Sequence, residues 1–138
     1  MSERLGRILL VLFGIGFMAI GARYFADPHA LTAETDVAAP TGKAVMEVRT
    51  VYGGMFFGLG LAVLVTGLRR HLIAAGLWVL ILVAGSVALA RLAAIALGQA
   101  PDPVFATLLG IEIVGVGLAA LALRRIETRS AGRDQSTG

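Results

Sequence analysis

Hydrophobic and polar residues occur along this chain in long blocks rather than in a short alternation. No Asp, Glu, Lys or Arg occurs at residues 8–22, 50–68 or 72–90. Because crossing the hydrocarbon core of a bilayer takes about 20 mostly apolar residues, these blocks with their flanks are long enough for transmembrane helices. The pattern predicts four of them, at about residues 5–25, 43–68, 72–97 and 103–123.

These elements predict an all-α fold, an antiparallel four-helix transmembrane bundle that occupies residues 1–127. The first apolar block is too long for a typical signal peptide, so we interpret it as a membrane span. Residues 128–138 are polar and basic and are predicted to form a disordered cytoplasmic tail.

Each of the two predicted outer loops carries an Asp-Pro pair, Asp27-Pro28 at the start of the first and Asp102-Pro103 at the end of the second. Asp is a favoured helix N-cap, and Pro is favoured at the first helical position. The first pair therefore predicts a short interfacial helix over about residues 28–33, and the second predicts the start of the fourth span.

The distribution of positive charge predicts how the protein is oriented in the membrane. Of the 12 Lys and Arg residues, most are arginines in the N-terminal segment, the turn at residues 69–70 and the C-terminal tail. Positive residues of this kind remain on the cytoplasmic side, so we expect both termini in the cytoplasm of a bacterial cell, with the protein in its inner membrane. The same distribution explains the pI of about 10.2 without nucleic-acid binding.

Two charged residues lie inside predicted spans, Arg91 in the third and Glu112 in the fourth. A charge at the centre of a membrane helix costs about 2.5 to 3.5 kcal/mol on insertion scales, so such residues are usually paired or functional. In an antiparallel hairpin about residues 98–103, Glu112 lies only about 3 Å deeper than the level of Arg91. We predict an ion pair between them, which serves either as a ligand site or as a structural lock.

Further polar residues stand at the start of the second span, where Glu47, Arg49 and Tyr52 precede an apolar helix. Arg49 and Tyr52 are three residues apart and would share one face of an α-helix. With Arg91 and Glu112 they are predicted to line an outward-facing polar pocket. The hypothesis requires all five side chains to reach the same depth in the outer half of the bilayer.

Small residues come directly after Tyr52 in the second span. Gly53, Gly54 and Gly58 are predicted to allow close helix packing. We favour packing within the chain over a homodimer seam, and a homo-oligomer stays open.

Several chemistries are excluded or disfavoured. The chain has no Cys and only two His, and the predicted topology puts His29 and His71 on opposite sides of the membrane. We therefore expect no metal site and no cofactor. No motif identifies a reaction.

The motif Glu47-x-Arg49-x-x-Tyr52-Gly53-Gly54 resembles the entry to the second helix of a bacterial membrane family known only as domain of unknown function 4345. The likeness extends over about residues 5–125 and includes Arg91, the turn from Gly98 and Glu112. Gln99 departs from the Asp expected in that turn. The resemblance implies a four-helix inner-membrane protein and supplies no activity.

The sequence thus favours a non-enzymatic membrane protein that binds a small polar or amphiphilic ligand, such as a lipid headgroup, in the predicted pocket. The alternative is an accessory or scaffold subunit that packs against a larger membrane-protein partner. A lipid-modifying enzyme with Glu112 or Glu47 as its base is the third hypothesis. Beyond the lipid bilayer, no partner is identified.

Overall fold

The structure, a computed structural model, describes residues 2–35, 41–100 and 102–134, and all regular elements within them are helical. Helix α1 is Ser2–Ala26, α2 is His29–Thr35 and α3 is Gly42–Glu47. A π-helix, Val48–Met55, joins α3 to α4 at Phe56–Leu68. A 3-10 turn at Arg70–Leu72 precedes α5 at Ile73–Ala96, and α6 is Pro103–Asp134.

Within these residues, four helical stretches are long and apolar enough to cross a membrane: Glu3–Ala26, Gly42–Leu68, Arg70–Ala96 and Pro103–Thr128. They carry large apolar side chains on their outer surfaces, including Leu12, Leu82 and Leu89, which are 62%, 64% and 68% exposed. Apolar surface on this scale is typical of helices that face lipid or other membrane helices. The prediction of an all-α protein with four spans is confirmed.

The chain forms two compact units. The first, Val11–Val65, contains most of α1 together with α2, α3, the π-helix and most of α4. Here the side chains of Leu31 and Val48 are buried together, and Tyr24 packs against them. The loop helix α2 is therefore held against the start of the second span.

Glycines allow α1 and the second span to approach closely inside this unit. A Cβ atom built on Gly14 would lie 2.9 Å from the carbonyl oxygen of Gly60, and one on Gly21 would lie 2.6 Å from that of Gly53. Since the later glycine of α1 meets the earlier glycine of the second span, the two helices run antiparallel. We call these four residues, Gly14, Gly21, Gly53 and Gly60, the glycine seam.

The second unit comprises the described residues before Val11 and after Val65. Its buried apolar side chains include Leu10, Ile73, Leu77 and Leu80. The helices α5 and α6 form its antiparallel hairpin.

Both Asp-Pro pairs act as the sequence predicts. The backbone N–H of His29 donates to Asp27 Oδ1 at 3.1 Å, and that of Val104 donates to Asp102 Oδ1 at 2.8 Å. The first N-cap starts α2 and the second starts α6. Thr41, whose role the sequence did not reveal, caps α3 by accepting from the N–H of Ala44 at 3.3 Å.

The last helix differs from its prediction. It continues to Asp134 rather than ending near residue 123, and no proline interrupts its polar continuation. The tail predicted to be disordered from residue 128 is therefore helical as far as Asp134, and its residues 135–138 lie outside the described residues.

The turn between α5 and α6 depends on one glycine. Gly98 has φ +95°, a conformation that costs other residues about 1 to 3 kcal/mol. Its N–H donates to the carbonyl of Ile95 at 3.0 Å, and that of Gln99 donates to Ala94 at 3.2 Å, which closes the end of α5.

We expect Gly98→Ala to lower the free energy of unfolding by about 1 to 3 kcal/mol through this strain. Reversible unfolding of the purified protein in mixed micelles measures the change. Gly110→Ala, a helical site with no neighbouring atom within 4 Å in the described part of the chain, is the control. Equal stability of the two variants would show that the turn does not require a left-handed residue.

Candidate functional site

The hairpin of α5 and α6 brings together the two charges that lie inside membrane spans. Arg91 Nε is 3.3 Å from Glu112 Oε2, and the predicted ion pair is confirmed. Both atoms are buried, and neither has a hydrogen bond of good geometry within the described residues, so the contact is primarily electrostatic. The two side chains remain only 26% and 16% exposed.

An aromatic ring covers the cation of this pair. The guanidinium carbon of Arg91 lies 5.1 Å from the ring centroid of Phe105, near the start of α6. Such a cation–π contact contributes about 0.5 to 2 kcal/mol, more when it is shielded from water. The charge of Arg91 is therefore balanced by Glu112, and the ring of Phe105 lies beside it.

The polar residues at the start of the second span belong to the first unit, Val11–Val65. Unlike the ion pair, they are exposed. Glu47 ends α3, while Arg49 and Tyr52 belong to the π-helix. All three side chains are exposed. No hydrogen bond or ion pair joins them to any side chain in the described part of the chain. Their polar groups are thus available to a ligand.

The π-helix corrects one expectation about this segment. Its i→i+5 bonding places more residues in each turn than an α-helix has, so residues three apart are rotated farther from each other. Arg49 and Tyr52 are therefore farther apart around the helix than the sequence predicts, although both belong to the same π-helix.

Local bonding in the π-helix involves Thr50. Its hydroxyl donates to the carbonyl of Met46 at 3.0 Å and approaches that of Glu47 at 3.3 Å. Hydrogen bonds of this kind, from a Thr hydroxyl to the carbonyl one turn earlier, often bend a helix.

The three glycines named for helix packing have different surroundings. A Cβ atom on Gly53 would lie 2.9 Å from Cβ of Phe25, so Gly53 is in close contact with α1. A Cβ on Gly54 would meet only the carbonyl of Arg49, at 3.9 Å, and one on Gly58 would meet no described atom within 4 Å. Gly54 and Gly58 therefore have room beside them.

Sequence reasoning missed a polar cluster at the end of α1. Arg23 Nη2 is 2.5 Å from Glu34 Oε1, and the hydroxyl of Tyr24 donates to Glu34 Oε2 at 2.9 Å. The signal available was Glu34, an acid just after the short helix predicted from Asp27-Pro28, because that helix can bring it back towards the end of the first span.

The described residues contain no group of three His, Asp or Glu side chains able to hold a metal ion. The described residues thus carry a shielded ion pair, a polar cluster at the end of α1 and a set of accessible polar groups, on four apolar spans. These features define a small multi-pass membrane protein.

The chain belongs to the family described as domain of unknown function 4345, whose model matches residues 5–123. No curated protein and no solved structure matches the chain.

Proposed function

We propose that this protein is a non-enzymatic membrane protein that binds the headgroup of an amphiphile at the start of its second span. Glu47, Arg49 and Tyr52 are the ligand-binding residues. The supporting observation is that these three side chains are exposed and have no hydrogen-bond or ion-pair partner in the described part of the chain, at a π-helix. π-Helical segments are rare and occur frequently at functional sites.

The chemistry of the three groups matches a zwitterionic headgroup. The guanidinium of Arg49 presents a planar fork of donors that suits a phosphate. The carboxylate of Glu47 complements an ammonium group. Tyr52, which is 37% exposed, combines an apolar ring with a hydroxyl and is suited to the boundary between headgroups and acyl chains.

In this proposal, the ion pair of Arg91 and Glu112 stabilises the hairpin and does not bind the ligand directly. The larger outward-facing pocket, in which these two residues join the other three, stays a prediction. We also propose that both termini are cytoplasmic in a bacterial inner membrane, as the arginine distribution favours. The binding residues would then lie in the outer leaflet.

A second candidate function is supported by Gly54 and Gly58. Both have room beside them, and small residues at this spacing let another membrane helix approach closely. An accessory subunit would use this face to pack against a larger membrane partner.

The decisive experiment measures lipid binding to the purified full-length protein by native mass spectrometry, with phosphatidylethanolamine as the probe. Arg49→Gln is expected to weaken binding by about tenfold or more, because a hydrogen bond to a charged group contributes about 1.5 to 3 kcal/mol. Glu47→Gln is expected to reduce the preference for phosphatidylethanolamine over phosphatidylcholine, whose ammonium cannot donate a hydrogen bond.

Arg124→Gln removes another exposed arginine, outside the proposed site, and is the matched control. It should leave binding within about twofold of the original. If Arg49→Gln and Arg124→Gln weaken binding equally, the headgroup proposal is wrong. An accessory subunit instead predicts that Gly58→Leu releases the protein from a larger complex in mild detergent, while Arg49→Gln changes neither the complex nor the bound lipid.

A further inference from the structure

A basic groove of about 440 Å³ lies in the second unit. None of the residues that line it belongs to the headgroup site proposed above. The groove is lined by Glu3, Arg4, Arg7 and Arg70. Two of these arginines come from the first turns of α1, and the third comes from the 3-10 turn before α5. The groove is therefore built from segments that are distant in the sequence.

Close packing around Gly6 explains why these segments meet. A Cβ atom on Gly6 would lie 3.1 Å from the side chains of both Ile73 and Leu77 on α5. Ile73 and Leu77 are themselves buried. The start of α1 is thus held directly against the start of α5, and Arg4 and Arg7 lie close to Gly6 in the sequence.

The charge of the groove is not neutralised by the protein. Among the described residues, no carboxylate lies within 4 Å of the guanidinium of Arg4, Arg7 or Arg70. Glu3 lines the same groove without forming an ion pair. Three cations and one anion leave an excess of positive charge, so a ligand that fits must be anionic.

The position and type of these cations indicate the ligand class. They stand at the ends of membrane spans, which lie at the level of lipid headgroups. Arginine forks bind phosphate oxygens in a bidentate manner. Positive residues at span ends also orient a protein during insertion. That role does not require the arginines to line one groove or to lack carboxylate partners.

We propose that this groove binds the phosphate of an anionic phospholipid through Arg4, Arg7 and Arg70. The site is separate from the residues assigned to headgroup binding at the second span, and it stands whether or not that assignment holds. Glu3 opposes the ligand electrostatically and limits its affinity.

The test is a titration of the full-length protein in nonionic detergent with phosphatidylglycerol, followed by native mass spectrometry, with phosphatidylcholine as the zwitterionic, net-neutral comparison. Arg4→Gln, Arg7→Gln and Arg70→Gln should each weaken phosphatidylglycerol binding by about fivefold. Glu3→Gln should tighten binding by a similar factor, an effect that a simple loss of structure cannot produce. Inorganic phosphate is titrated separately and should compete only weakly.

Arg69→Gln is the matched control, because Arg69 is exposed beside Arg70 and does not line the groove. It should leave binding within about twofold. Equal losses for Arg69→Gln and Arg70→Gln would overturn the proposal in favour of diffuse attraction. Competition by inorganic phosphate at the same concentration as the lipid would overturn the lipid assignment.

Discussion

Gly60→Ala is expected to lower the free energy of unfolding by about 1 to 3 kcal/mol, the usual cost of adding a methyl group to a well-packed contact. A Cβ atom at this position would lie 2.5 Å from the backbone nitrogen of Met18 and 2.6 Å from the carbonyl oxygen of Gly14. Both are backbone atoms, so no side-chain rotation relieves the clash. The two helices must separate, which weakens the contacts along the whole seam.

The glycine seam makes this effect cooperative. Gly14 and Gly21 are about two helical turns apart on α1, as are Gly53 and Gly60 on the second span. Contact at one pair therefore sets the distance at the other. We expect Gly21→Ala to destabilise the protein in the same way, and the double variant Gly21→Ala/Gly60→Ala to cost less than the sum of the two, since one separation relieves both clashes.

Each helix of the seam offers a matched control: Gly16 lies two residues after Gly14, and Gly58 lies two residues before Gly60. Gly16 and Gly58 have no neighbouring atom within 4 Å in the described part of the chain. Gly16→Ala and Gly58→Ala should leave stability unchanged or raise it slightly, because alanine favours a helix more than glycine does. Unfolding in mixed micelles compares all of these variants. Equal stability of Gly60→Ala and Gly58→Ala would contradict the seam.

Much of the fold follows from the sequence because lipid imposes simple rules. The lengths of the uncharged blocks predict the spans, and the two Asp-Pro pairs predict helix starts that the structure confirms. The ion pair of Arg91 and Glu112 was also predictable, because a short turn fixes the register of a helical hairpin. These features depend on local chemistry and on counting residues along a helix.

The remaining features depend on how helices meet, which residue spacing does not determine. Eighteen glycines occur in the chain, and no local property distinguishes Gly60, which is in close contact with α1, from Gly58, which has room. The π-helix was likewise not predicted, since nothing in Val48–Met55 indicates i→i+5 rather than i→i+4 bonds. Glu34 is paired with Arg23 only because α2 folds back on α1.

The second large effect is expected at Glu112. Glu112→Ala should destabilise the protein by about 3 to 5 kcal/mol, because it leaves the shielded charge of Arg91 without an anion. A guanidinium cannot lose its proton to escape this cost, whereas a carboxyl group without its cation can become neutral by protonation. Arg91→Met should therefore be less harmful than Glu112→Ala, even though either change breaks the same contact.

The double variant Arg91→Met/Glu112→Leu tests whether the pair is a structural lock. Replacing both charges by apolar side chains of similar size removes the unpaired charge, and stability should return to within about 1 kcal/mol of the original or exceed it. Unfolding in mixed micelles compares the double variant with each of its single changes, Arg91→Met and Glu112→Leu, in a double-mutant cycle, and Glu112→Ala is measured beside them. If Glu112→Ala is as stable as the original protein, Arg91 reaches water or lipid phosphate by another route. If the double variant is stable but no longer binds phosphatidylethanolamine, the pair belongs to the ligand site.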